Sequence, residues 1–432
     1  MVDLKTQYEF IKDEVDSSVL EIFKNGTFIN GPSVKKFQSD LENYLNVKHV
    51  IPCANGTDAL QIALMSLGLQ PGDEIITSDF TFAATVEVIA LLQLKPVLVD
   101  IEEDTFNIDC DEILKAITPK TKAIIPVHLF GQVANMDKVI EIAKSNSLYV
   151  IEDNAQGIGS TYISSNNSNL KSGTIGDIGT TSFFPSKNLG CYGDGGAIFT
   201  NNDELAHVMR GIVNHGMYVR YHHDVVGVNS RLDSVQAAIL SVKLPLLDFY
   251  NERRKEASLF YSKELNQNKN LLTPIVKNSC RSHVFHQYTL RVLSGNRDEL
   301  SKYLNDNNIP HGIYYPIPLH KQKAYSDKNY KEEDFKISNM MSEQVISLPM
   351  HSELHNDQIK FIYGDYTKQN CLNYFRNAFP YWLVSIIGII VVYNIIKDER
   401  IVNAILFSFI AAITFPHALV MSNMFSKYKK RT

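Results

Sequence analysis

Cysteine is scarce and unpatterned in this chain of 432 residues: five stand at positions 53, 110, 191, 280 and 371, with no CxxC spacing. That argues against a disulfide scaffold and a zinc site and fits a reducing compartment. A basic surplus is missing too. The 42 Lys and Arg residues are outnumbered by 47 Asp and Glu, for a formal net charge of −5, which gives no support to a nucleic-acid partner. The opening Met1-Val2-Asp3-Leu4-Lys5 leads into a polar amphipathic stretch without the character of a secretory leader. Long uncharged apolar runs come only at the end. Residues 379–396 and 401–426, divided by Lys397-Asp398-Glu399-Arg400, each approach the ~20 residues that span a bilayer. With the cations at 427, 429, 430 and 431, residues 375–432 read as a transmembrane helical hairpin with its C-terminus inside. The expectation is a cytoplasmic catalytic part anchored to the inner membrane, or else a fused fragment.

What remains is an ordinary globular composition, 44% hydrophobic and 21% charged, long enough for two or three domains of roughly 100–200 residues each. A helical period over 5–24 places Phe10, Val15, Val19, Ile22 and Phe23 near one face. Apolar runs at 49–53, 74–77, 96–101, 122–128, 148–152, 179–184 and 196–200 read as strands, and helical patterns fall between them at 58–67, 82–92, 109–117 and 136–146. This alternation predicts an α/β fold with a mostly parallel sheet covered by helices on both faces. Residues 163–172, polar and low in complexity, read as a mobile surface loop. Two helices, 233–243 and 246–265, split by Pro245, lead out of a large domain (1–245) into a smaller one (246–366).

Three short stretches carry chemistry. In Ser182-Phe183-Phe184-Pro185-Ser186-Lys187-Asn188-Leu189-Gly190, one lysine follows a buried strand and precedes a glycine-rich turn. Confinement there disfavours the ammonium form, and a neutral lysine amine forms Schiff bases; the plainer alternative is a surface lysine in a turn. The strand ending in Ile151-Glu152-Asp153-Asn154-Ala155-Gln156 delivers Asp153 to its carboxyl end, where ligands of open α/β sheets bind. A carboxylate there can pair with the pyridinium nitrogen of pyridoxal phosphate, or simply cap a helix. Gln156 can reach a ring substituent. In Cys53-Ala54-Asn55-Gly56-Thr57, Gly56 and Thr57 open a helix whose free amides suit a phosphate. Between His215 and Arg231 lie Arg220, His222 and His223, with Tyr218 and Tyr221 interleaved. These are donors for phosphate or carboxylate groups, and no carboxylate completes a metal set among them.

Taken together, the phosphate turn, the Asp-x-x-Gln and the Ser-x-x-x-x-Lys, in that order, resemble the DegT-type nucleotide-sugar aminotransferases. The likeness runs from about Val2 to about Ile362. It implies the aspartate-aminotransferase fold (fold type I), pyridoxal phosphate as cofactor, glutamate as amino donor, and a homodimer with shared active sites. It implies that Lys187 carries the cofactor and acts as base and acid, and that Asp153 holds the ring protonated. Gly56, Thr57, Ser182 and the neighbouring subunit's Asn229 would hold phosphate, with Phe82 stacked on the ring. The loop of Gly26 and Phe28 would reach the sugar nucleotide, as would Arg220, His222, Arg231, Tyr314 and Tyr315. Within the family, Ser182 to Ala197 is most similar to enzymes that aminate C3 of a UDP-linked 3-oxo-uronic acid for a surface polysaccharide. Those enzymes carry histidine where this chain has Tyr314, a departure that leaves a C4-keto or dTDP-linked sugar open. A sugar dehydratase of the same family would replace Lys187 with histidine, and a membrane-tethered non-catalytic module would have no need of Lys187, Asp153 and Gln156 together. Phe415 to Leu419 faintly resembles the end of membrane carotene oxygenases.

Overall fold

In a computed structural model, the protein is described for residues 1–362 apart from positions 278, 280, 281, 294 and 295. The expected hairpin at 379–426 and its basic tail lie outside the described residues. Among the described residues no helix is long and apolar enough to cross a membrane. The chain divides into a unit spanning Met1–His355 and a second beginning at Asn356. The second contributes one described helix, Asn356–Ile362.

Three helices, α1 (Leu4–Phe10), α2 (Lys12–Asn25) and α3 (Pro32–Leu45), precede the sheet. β1 (His49–Cys53), α4 (Gly56–Met65), β2 (Glu74–Ser78), α5 (Ala84–Leu91), β3 (Lys95–Val99), α6 (Cys110–Ala116), β4 (Thr121–Ile125), α7 (Met136–Asn146) and β5 (Tyr149–Asp153) then alternate. After a short hairpin of β6 (Thr161–Ile163) and β7 (Asn169–Lys171) come β8 (Ile178–Ser182), β9 (Gly196–Thr200) and α8 (Asp203–Ile212). A second hairpin pairs β10 (Met217–Val219) with β11 (His222–His223), and α9 (Ser234–Lys243) and α10 (Leu247–Leu265) follow. The remaining strands, β12 (Leu271–Leu272), β13 (Tyr288–Val292) and β14 (Val345–Leu348), form a three-stranded antiparallel sheet.

The main sheet has seven strands in the order β1-β9-β8-β5-β4-β2-β3. All pairings are parallel except those of β9, which runs antiparallel to β1 and to β8. Successive strand residues point to opposite faces, and the core obeys that rule. Ile75, Ala123, Ile125, Ile151 and Ile198 face a layer built by α4, α5 and α8, whereas Ile76, Ile124 and Val150 face α6 and α7. With both faces covered, the strands need apolar residues at every position, which is why they read as continuous runs.

The seven predicted strands and four intervening helices are all present. Two readings need correction. The helical stretch 5–24 is broken at Ile11 (φ −119°, ψ 18°), whose side chain turns inward to pack with Val15 and Ile239. That break leaves Phe10 69% exposed and Phe23 58% exposed, while Val15 and Ile22 are buried. Residues 163–172 are no open loop: Tyr162 pairs with Leu170 across the β6–β7 hairpin, and Ile163 N–H donates to Ser279 O at 2.8 Å.

Lys243 sits on the inner side of α9 with only 1% exposure. Its Nζ donates to Gly190 O at 2.5 Å and lies 4.9 Å from the Tyr192 ring centroid. Burial pushes its ammonium down from 10.5 to about 8. Between these values the unfolded chain binds the extra proton, so this group makes stability rise with pH from about 8 to about 10.5. Below that window both states are protonated and the folded state carries the full desolvation cost, about 3 kcal/mol. Lys243→Met should therefore gain less stability than the wild type as pH rises from 7.5 to 10.5, the gap closing by about 3 kcal/mol in urea unfolding. A constant gap across that range would show that Lys243 does not titrate with folding.

Candidate active site

β1, β8, β5, β4 and β2 all point the same way, so their carboxyl ends share one edge of the sheet. β5 delivers Asp153 there, beside Thr180 of β8. Asp153 is 5% exposed. Its Oδ2 accepts from Thr85 Oγ1 at 2.8 Å and its Oδ1 from Ala155 N–H at 3.2 Å. The preceding residue, Glu152, faces the other way and is fully buried. It accepts from the Gly173, Ile175 and Gly176 amides at 2.8, 2.6 and 2.6 Å and pairs with His128 Nε2 at 2.8 Å. Because Ala134 N–H donates to His128 Nδ1, His128 carries its proton on Nε2 and donates to Glu152. The backbone joins this anchor: His128 N–H donates to Asp153 O at 3.0 Å. Asp153 thus stands on a strand end held from both sides.

Lys187 lies in the turn after β8, its amide donating to Phe184 O at 2.8 Å. Among the described residues its Nζ has no hydrogen-bond or ion-pair partner. Burial pushes its ammonium down to about 8, and the Asp153 carboxylate pulls the other way. A lysine so poised loses its proton more readily than an exposed one and is available as a nucleophile or base.

Gly56 and Ser182 come together across β9. Cys53 and Ser182 both pair with Gly196, and a Cβ on Gly56 would stand 2.7 Å from Ser182 Cβ. Only glycine fits there. The helix cap Asn55 accepts from Asp58 N–H at 2.8 Å, which leaves the Gly56 and Thr57 amides without a partner among the described residues. Ser182 Oγ accepts from Phe184 N–H at 3.3 Å, so its own proton is free to donate. Amides at a helix start beside a hydroxyl form an anion cradle.

Gln156 is committed on both ends of its amide. Its Oε1 accepts from Phe130 N–H at 2.7 Å and its Nε2 donates to Tyr315 Oη at 3.2 Å. Tyr315 also meets Phe80 (5.9 Å between centroids), Phe82 (6.4 Å) and Tyr314 (6.1 Å). Burial raises the Tyr315 hydroxyl well above its ordinary value, with the Asp153 charge adding to the rise. Phe82 leaves more than half its surface open.

The remaining predicted residues divide into two groups. The loop of Gly26 and Phe28 docks on the start of α9: Ser234 N–H donates to Phe28 O at 2.9 Å, and Ile29 bridges to Asp233. Gly26 ends α2 in the left-handed region at φ 64°. Two residues before Asp233, Arg231 Nη1 donates to Asn214 Oδ1 at 3.3 Å, so the two stretches share one patch. Asn229 is exposed, bridging Asn214, and its neighbour Ser230 accepts from Ala54 N–H at 3.0 Å. That bond ties the segment to the phosphate turn of the same chain. Arg220 and His222 stand apart, exposed on the β10–β11 hairpin, with Arg220 over the Tyr221 ring at 4.9 Å. Among the described residues no hydrogen bond or ring contact joins either of them to Lys187, Asp153 or Gln156.

Thr85 was missed from the sequence, and Ser230, between Asn229 and Arg231, carried no role of its own there; they meet their partners across 68 and 176 residues respectively.

The parallel sheet, its helices on both faces and the small antiparallel sheet beyond α10 make up the fold-type I aminotransferase architecture. The chain belongs to the DegT/DnrJ/EryC1/StrS aminotransferase family, which matches residues 9–365. It is 46% identical over 364 residues to a pleiotropic regulatory protein of Geobacillus stearothermophilus, covering 84% of this chain and 96% of the relative. It is 45% identical over 361 residues to the UDP-2-acetamido-2-deoxy-3-oxo-D-glucuronate aminotransferase of Pseudomonas aeruginosa, covering 84% and 97%. Among solved structures, a DegT/DnrJ/EryC1/StrS aminotransferase from Brucella abortus superposes with a TM-score of 0.79 at 38% identity, over 84% of this chain and 97% of that one. Residues 349–425 also match the beta-carotene 15,15'-dioxygenase family. The protein is a sugar aminotransferase dependent on pyridoxal phosphate. The site fits that group: the cradle at Gly56 suits a phosphate, Asp153 is a buried carboxylate, and Lys187 is a buried amine of lowered pKa with no partner among the described residues.

Proposed function

We propose that the protein transfers an amino group from glutamate to C3 of a UDP-linked 3-oxo-uronic acid for a surface polysaccharide. The observation that carries the reading is the buried Lys187 amine, without a partner among the described residues and acted on by the Asp153 charge, beside the Gly56–Ser182 cradle. Pyridoxal phosphate, when bound, supplies the electron sink and the carbon that carries nitrogen from donor to acceptor. In this reading Lys187 attaches the cofactor. Once released, its neutral amine takes the proton from the donor's α-carbon and later delivers one to the sugar carbon that receives nitrogen. Asp153 would pair with the ring nitrogen and hold a proton there. Gly56, Thr57 and Ser182 would hold phosphate, and Gln156 and Phe82 would orient the ring. Gly26, Phe28, Tyr314 and Tyr315 would line the sugar side. The large domain would be 1–245 and the small one 246–366.

The reading includes a homodimer in which Asn229, Arg231, Arg220 and His222 complete a neighbour's site. The exposed position of all but Arg231, and of Phe28, Ile29, Val219 and Val226 around them, supports such an interface. A single-chain mass by light scattering with full activity would remove it. The tail would tether the catalytic part to a membrane; equal activity and no vesicle binding by the full chain would remove that.

Tyr314 supplies a neutral donor where charge would favour a uronate carboxylate. The substrate is therefore tested by single-turnover reaction of the aminated enzyme with a panel of keto-sugars. The UDP-3-oxo-uronate is expected to react at least about tenfold faster than C4-keto or dTDP-linked sugars, a margin that one charge-assisted contact supplies. The reverse order would replace the substrate while leaving the aminotransferase in place.

A further inference from the structure

Asn188 follows the site lysine directly, is buried, and uses every polar atom of its side chain. Its Nδ2 donates to Asn251 Oδ1 at 2.7 Å and to Val284 O at 2.9 Å. Asn251 is itself oriented, because its Nδ2 donates to Ile158 O at 3.3 Å. Both donors of Asn188 are therefore engaged, and its Oδ1 can only accept. The partner of that oxygen is His286 Nδ1, 3.2 Å away. His286 consequently carries its proton on Nδ1, and its ring is the neutral tautomer with a bare Nε2. Burial drives the imidazole well below its ordinary value, and the charges of Lys187 and the buried Arg254 add to the drop. Arg254 spends its Nη1 on the Phe285, His286 and Met350 carbonyls at 3.2, 3.3 and 3.2 Å.

Asp153 is the one anion that acts on Lys187. The side chain next to Lys187 in sequence is an amide, which adds no charge, and the ring bonded to that amide is neutral. We propose that Asn188 and His286 are a positioning pair: they fix the turn that carries the Lys187 amine and keep the neighbouring side chains uncharged, so that Asp153 stays the one anion acting on it. The pair does not touch the reacting atoms. The proposal rests on the reading of Lys187 as the cofactor lysine only for its consequence in catalysis.

The test uses cofactor-free full-length protein. The pH dependence of Lys187 acylation by acetic anhydride is followed by peptide mass spectrometry. The wild type should show a midpoint near 8. Asn188→Asp places a carboxylate behind the amine and should raise that midpoint by about one pH unit or more, leaving roughly tenfold less free amine at pH 7. His286→Leu removes the donor to Asn188 and should also raise the midpoint toward that of exposed lysines. His286→Asn, whose amide nitrogen can stand where Nδ1 stood, should restore it to within about 0.3 units of wild type. The two histidine variants carry the test if Asn188→Asp does not fold. Midpoints that stay at the wild-type value while only melting temperatures fall would overturn the pair, making it plain packing. Borohydride mapping of the cofactor to another lysine would remove the proposed function and leave the acylation result standing.

Discussion

Replacing Lys187 with alanine is expected to lower turnover by at least about a thousandfold, because one side chain supplies both the covalent attachment and the proton transfers. The fold should survive. Lys187 Nζ has no partner among the described residues, so its loss strands no buried donor or acceptor, and the turn keeps its Lys187 N–H to Phe184 O bond. Melting temperature should stay near wild type or rise, since a desolvated ammonium is removed. The competing candidate is visible in the structure: Lys243 is also buried and also held at about 8. It differs in being engaged, with Gly190 O and the Tyr192 ring as partners, and in standing on α9, where the carboxylate that acts on it is Glu353 and not one at the sheet edge. Borohydride reduction of the holoenzyme followed by peptide mapping separates the two. Label on Lys187 is expected; label on Lys243 would reassign the site.

Asp153→Asn should retain the cofactor and lose about a hundredfold to a thousandfold in turnover, the size expected when a developing charge loses its preorganised partner. The substitution is close to neutral for stability. An amide can keep Oδ1 toward Ala155 N–H and turn its Nδ2 toward Thr85 Oγ1, which is able to accept. The Glu152–His128 anchor beneath is untouched. What changes is charge. The same variant should lower the acylation midpoint of Lys187 in the cofactor-free protein, because the Asp153 carboxylate is what holds that amine up against desolvation. Wild-type turnover together with an unmoved midpoint would show Asp153 to be only the strand's cap.

The chain's own order carried much of this. Seven apolar runs between helical periods were legible because strands covered on both faces need an apolar residue at each position. The placement of Asp153 at a strand end and Gly56 at a helix start, and of Lys187 and Gln156 in the turns that follow β8 and β5, was legible because local sequence there dictates which backbone positions are presented. Residues 163–172 and the break at Ile11 were not. Polarity alone does not tell a short hairpin from a loop, and nothing local marks Ile11, which is drawn inward by Val15 and Ile239.

Tertiary structure alone decided the partners. Thr85 reaches Asp153 across 68 residues, Ser230 reaches Ala54 across 176, and Asn188 is gripped by Asn251, Val284 and His286 across 63, 96 and 98. A hydroxyl, an amide or an imidazole carries no periodicity, so its role is set by what the packed chain places opposite it. How tightly Lys187 holds its proton was decided the same way. The motif supplies the amine, but desolvation and a single facing carboxylate set its proton, and both arise only when β5, β8 and the segment at His286 close around it.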